Sequence, residues 1–280
     1  MKENRKLGGI LALIGGLMGI IGHFIIFLKW YIPGMQAEAA EPGCEILLKY
    51  INPAMSDLGM IGGVLFLVSA YGFFTKKKWS FLLSVIAIVL ALQGAWFINV
   101  PFMAAGLPPV YFILFWPYLV LYFVLMMAVG KRSLIHTLFG LLLGMAWVFC
   151  LMNGIASLSR IITIGRPFYT FVQRLHWVAM LGWGTATVGL IMKPREWMRV
   201  VGLSAGMLEI VVGFPLAVIT AQELGRFSLF SLAPISSLIL VILLVIPSIW
   251  EKIKVYVDCS PAYENRKWSG QLAAPVLVVC

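Results

Sequence analysis

Charge is scarce in this chain. Asp, Glu, Lys and Arg make up 11% of its 280 residues and hydrophobic residues make up 61%. A water-soluble domain carries about 25% charged residues and has no room inside for this much apolar surface. The solvent for most of the chain must therefore be lipid. Cysteine is scarce as well. Cys44, Cys150, Cys259 and Cys280 form no C-x-x-C pair, which excludes the spacing of a zinc or thioredoxin-type motif. A Cys44–Cys150 disulfide remains a geometric option. There is no P-loop and no H-E-x-x-H. Residues 202–206 read G-L-S-A-G, the pattern of a serine-hydrolase elbow, but they sit inside a helix-length apolar run with no strand before them. No enzyme signature is left.

The formal net charge is +10. In a soluble protein that balance suggests nucleic acid. Here the bases lie in short connections between apolar runs, with no basic patch interleaved with aromatics, so the charge reports on topology and nucleic acid is not expected as a partner.

What is present is a series of apolar runs. A helix needs about 20 apolar residues to cross the hydrocarbon core. Eight segments qualify, at 7–28, 55–74, 79–98, 109–129, 133–153, 171–192, 197–219 and 229–249. Lipid offers no partners to an open strand, so these are helices. The fold expected is an all-α integral membrane protein with about eight transmembrane helices, its first partner the lipid bilayer. The first run is longer than the apolar core of a signal peptide and should stay as the first span.

Lys and Arg alternate from connection to connection. Arg5, Lys6, Lys76, Lys77, Lys78, Lys131, Arg132, Lys193, Arg195, Arg199, Lys252 and Lys254 fall on one side. Only Lys29, Lys49, Arg160, Arg166 and Arg226 fall on the other, where Glu38, Glu41 and Glu45 also lie. The rich side is expected to be cytoplasmic, which puts both termini in the cytoplasm and the protein in the cell membrane as a multi-pass chain. Residues 158–164 read as a short interfacial helix. Residues 251–280 read as a cytoplasmic tail, its apolar end too short to span and broken by Pro275.

The halves resemble each other. Residues 60–79 and 180–197 are both small-residue helices that end in a basic connection and a Trp, and each is followed two helices later by an early proline, Pro117 or Pro234. Four crossings return the chain to its starting side, so residues 1–130 and 131–250 would be parallel four-helix repeats. Gly15/Gly19, Gly59/Gly63, Gly140/Gly144 and Gly202/Gly206 have the small-xxx-small spacing that lets helices approach closely. Such faces also suit assembly with a second copy or another chain.

Ionisable groups inside a span mark a functional site by default. His23, Asp57, Gln93, Asn153, Gln173, Arg174 and His176 all fall in the outer half of their helices, and Glu209 falls mid-helix with apolar residues on both sides. This asymmetry predicts an outward-facing polar cavity with Glu209 at its floor. Its substrate or ion ligands would be Glu209, Asp57, Gln93, Arg174 and His176, with Asp57 and Arg174 placed to pair. Three functions fit: a transporter of a small solute or ion; an accessory or structural membrane protein; or a redox-complex subunit holding quinol, or haem between His23 and His176.

Overall fold

Apolar runs of this length, interrupted only at glycine, proline and short polar connections, fold as rods. The structure is a computed structural model that describes residues 4–37, 43–192 and 195–258. The described residues are all-helical, with no strand. The rods are α1 (Arg5–Gln36), α2 (Cys44–Phe74), α3 (Ser80–Ala104), α4 (Phe112–Val129), α5 (Leu134–Thr163), α6 (Pro167–Met192), α7 (Glu196–Leu224), α8 (Leu229–Val245) and α9 (Pro247–Asp258). Six of them, α1 to α5 and α7, are long and apolar enough to cross a membrane. The chain is a helical membrane protein.

Consecutive rods run antiparallel and close into two rings. α1 packs on α2, α2 on α3, α3 on α4 and α4 on α1; in the same order α5 packs on α6, α6 on α7, α7 on α8 and α8 on α5. The face where α1 begins is called the N-terminal face below, and the other the opposite face. The rings meet through α3, α4 and α5. Trp96 and Phe149 meet edge to face with centroids 5.5 Å apart, and the Tyr122 hydroxyl donates to the Thr137 carbonyl at 2.8 Å.

Glycine sets the crossing of α1 on α2. A Cβ on Gly63 would lie 2.8 Å from the Ile20 nitrogen and 2.9 Å from Gly19 Cα, so α1 and α2 touch backbone to backbone. Without a hydrophobic drive between helices in lipid, such contact is what holds them. The same spacing at Gly140/Gly144 does something else. A Cβ on Gly144 would meet nothing within 4 Å, so this glycine borders open space rather than a crossing.

Several boundaries differ from the sequence reading. α5 continues unbroken to Thr163, so residues 158–164 prolong a spanning rod instead of lying flat as a separate interfacial helix. α1 and α2 extend to Gln36 and from Cys44, which shortens the expected loop 30–54. Residues 251–258 belong to α9, which follows α8 after a break at Ile246–Pro247. Glu38, Glu41, Lys193, Cys259, Cys280 and the tail from 259 to 280 lie outside the described residues. Cys44 and Cys150 are both free thiols, so the disulfide option is withdrawn.

The two kinds of glycine separate in a stability measurement. Gly63→Leu forces α1 off α2 and should lower stability in detergent by about 1–3 kcal/mol, the range for overpacking. Gly144→Leu enters open space and should leave the melting temperature unchanged. Equal losses would refute the crossing.

Candidate functional site

The buried face of α7 runs Gly202, Ala205, Gly206, Glu209, Val212, Gly213, Leu216, Ala217 and Thr220. That 3–4 spacing is the periodicity of one helix face. Glu209 belongs to this stripe, so the turn of the helix itself carries the carboxylate inward, where it is fully buried. Gly213, one turn on, leaves it space: a Cβ there would sit 2.6 Å from Glu209 Oε1.

Both carboxylate oxygens are answered from neighbouring helices. His176 Nδ1 on α6 lies 2.8 Å from Oε2. Asn153 Nδ2 on α5 donates to Oε1 at 3.2 Å and to the Phe230 carbonyl, at the start of α8, at 3.0 Å. His176 is fully buried and Asn153 nearly so. Cys150, one turn before Asn153, places its thiol beside the Glu209 carboxylate and the Ser237 hydroxyl. Ser237 in turn accepts the Trp183 indole N–H at 3.1 Å. The site thus draws on every helix of the second ring.

An ionised carboxylate in hydrocarbon is expensive on its own. A protonated histidine beside it converts one buried charge into a pair, and a donor on the second oxygen satisfies its remaining lone pairs. The arrangement therefore has two electrically balanced forms, carboxylate with imidazolium and carboxylic acid with imidazole, and a third with one extra proton. His176 Nε2 is buried and has no hydrogen-bond partner among the described residues.

A crevice of about 70 Å³ opens between the rings toward the opposite face, lined among others by Phe97, Met152, Asn153, Ser159, Arg160 and Arg226. That is room for a few waters. Asn153 is shared: it forms part of this wall and holds Glu209 behind it. The expected cavity floored by Glu209 is therefore corrected to a narrow crevice reaching Asn153, with the ionisable pair one residue deeper. Above it, Glu223 accepts the Tyr169 hydroxyl at 2.6 Å and meets Arg166, while Arg160 Nη1 lies 3.6 Å away and its guanidinium stacks on the Tyr169 and Phe230 rings at 5.8 and 5.4 Å.

Of the residues read from sequence, the structure joins Glu209 and His176. It does not join the others to them. Asp57 and Arg174 point outward on exposed faces of α2 and α6, with no ion pair between them. They stand on helices of different rings and both face away from the bundle interior, so packing does not bring them together. Gln93 is buried in the first ring, its Nε2 3.9 Å from Met55 Sδ. His23 is also in the first ring, its ring 5.8 Å from that of Tyr111 and 6.3 Å from that of Tyr118. His23 and His176 thus belong to the interiors of different rings, which separates the two haem ligands the sequence suggested. No cluster of three metal-ligating side chains occurs among the described residues.

Asn153 and Cys150 were the residues missed as ligands. The fifth apolar run of the sequence ends at Asn153, but in the structure the residue stands inside α5, one turn from Cys150 on the same buried face. The first ring holds a polar cluster of its own: Tyr111 donates its hydroxyl to Asn52 Oδ1 at 2.9 Å, Ser56 Oγ is 2.8 Å from that hydroxyl, and Asn99 Oδ1 accepts the Tyr111 backbone N–H at 3.0 Å.

The pair makes a thermodynamic prediction. His176→Leu leaves the buried Glu209 carboxyl without its partner on Oε2 and should lower stability by about 3–5 kcal/mol, the range for breaking a buried pair. His176→Leu/Glu209→Leu removes both and should recover most of that loss. Additive effects, measured by unfolding in detergent, would mean that the two side chains do not interact.

No family model, curated protein or solved structure matches the chain, so the functional reading rests on the geometry itself: an ionisable pair closed inside a ring of four helices, one asparagine away from a crevice.

Proposed function

We propose that the protein is a transporter of a small solute or ion, in which the His176–Glu209 pair takes up and releases a proton during the cycle. The observation that carries this reading is the pair itself, fully buried, 2.8 Å apart, and held by Asn153, which also lines the crevice toward the opposite face. A buried ion pair is weak as a source of stability, since hydrophobic residues of the same volume do as well or better. Its best physical use is as a switch whose protonation changes what the surrounding helices can accommodate. The narrow crevice then belongs to a closed state, and opening it past Asn153 would admit the solute.

In this reading α6 and α8 also cross, giving eight spans with both chain ends on one side. The basic connections put that side in the cytoplasm, and the crevice faces out. The shared order of contacts in the two rings supports a duplication of four helices into parallel repeats, with only the second ring carrying the acid–base pair. The competing reading, an accessory subunit in which the pair only ties α6 to α7, is favoured by the completeness of the carboxylate's hydrogen bonds.

One variant separates the two. Glu209→Gln keeps shape and hydrogen bonding but forbids the charge. Proteoliposomes are given an inward proton gradient and a defined mixture of amino acids, sugars, nucleosides and organic cations, and their contents are measured by mass spectrometry. Wild type should accumulate at least one of these solutes only with the gradient, and Glu209→Gln should not. Gradient-driven accumulation by both would end the coupling role. For orientation, Ile162→Cys should react with an impermeant thiol reagent on intact cells and Lys77→Cys only after lysis; the reverse pattern would invert the topology.

A further inference from the structure

A second opening lies on the other side of the Trp96–Phe149 contact. It is a groove of about 250 Å³ between the rings, walled by Leu82, Val85, Ile86 and Leu90 of α3, Tyr122 of α4, Gly144 and Trp147 of α5 and Val188 of α6. We propose that this groove holds an acyl chain of an anionic membrane phospholipid, with the headgroup on Lys77, Lys78 and Lys131. The proposal is independent of transport and of which face is cytoplasmic.

The groove is suited to hydrocarbon. The two hydroxyls on its wall are committed to backbone: Tyr122 donates to Thr137 O at 2.8 Å and Thr187 donates to Trp183 O at 2.7 Å. Beyond these two, the wall is carbon apart from the indole edge of Trp147, which leaves little for a polar solute to bind. An apolar cavity on the order of 150 Å³ already excludes water and takes a hydrocarbon guest. The groove opens sideways through Ile86 and Val188, which are exposed. Its width depends on glycine, because the position of Gly144 is empty out to 4 Å from a Cβ.

The N-terminal-face end of the groove carries the complementary charge. Leu82 begins the wall four residues after Lys78, about one helical turn. Lys77 and Lys78 are exposed on the α2–α3 connection and Lys131 is exposed on the α4–α5 connection. None of the three makes an ion pair with a described residue, whereas Arg132 beside them is engaged. Trp79, half-exposed between Lys78 and the groove, marks the depth at which headgroups meet hydrocarbon. Basic residues at the end of an intramembrane groove are the arrangement that binds anionic headgroups.

The test uses the full chain in detergent with phosphatidylglycerol and phosphatidylcholine of identical chains, read by native mass spectrometry. Wild type should retain phosphatidylglycerol in preference to phosphatidylcholine. Gly144→Leu fills the groove and should reduce that adduct to background. Lys77→Gln/Lys78→Gln/Lys131→Gln leaves the groove open and should weaken the preference about fivefold for each lysine lost. Equal retention of the two lipids by wild type, or undiminished phosphatidylglycerol on Gly144→Leu, overturns the proposal. If Gly144→Leu does not fold, the lysine variant decides: an unchanged preference overturns it, and a lost preference supports it.

Discussion

Inside a membrane there is no water to answer a polar group, and the second ring is organised around that constraint at Glu209. The carboxylate needs space, a donor for each oxygen and a countercharge. Gly213 supplies the space on the same helix, Asn153 reaches from α5 to Oε1, and His176 reaches from α6 to Oε2. Asn153 also binds the Phe230 carbonyl, so the start of α8 is tied to the same point. Four helices converge on one acid, and altering any partner leaves another buried group unanswered.

The first ring obeys the same constraint with neutral chemistry. Tyr111, Asn52, Ser56 and Asn99 answer one another on α2, α3 and the start of α4, with no carboxylate among them. The rings therefore share an order of packing and differ in what lies at the centre. A neutral hydrogen-bonded core is stable in one protonation state. An acid–base pair has several. That difference gives the second ring its functional interest, and it leaves the first as scaffold and as one wall of both openings.

Much of this was legible in the chain. Eight apolar runs of spanning length marked eight of the nine rods, because length and apolarity are local properties. Glu209 stood out because its neighbours along the helix are apolar on both sides. What the sequence hid depends on rotation about helix axes. Asp57 and His176 both stand in the outer half of their apolar runs, yet one faces out and the other in. His23 and His176 looked like a pair because depth is visible in sequence and ring membership is not. Gly140/Gly144 has the same spacing as Gly15/Gly19, but whether a neighbour fills the gap is decided by which helix comes alongside. Asn153 ends the apolar run in the sequence but not the helix, since α5 continues for ten residues beyond it.

The central claim is that the buried pair exchanges a proton. Infrared difference spectroscopy of the reconstituted protein between neutral and acidic pH tests it most directly, with Glu209→Gln as reference. The account expects a protonated-carboxyl band that rises on acidification in wild type and is missing from Glu209→Gln. Identical difference spectra for the two proteins would contradict it, and would leave Glu209 a structural tie between helices.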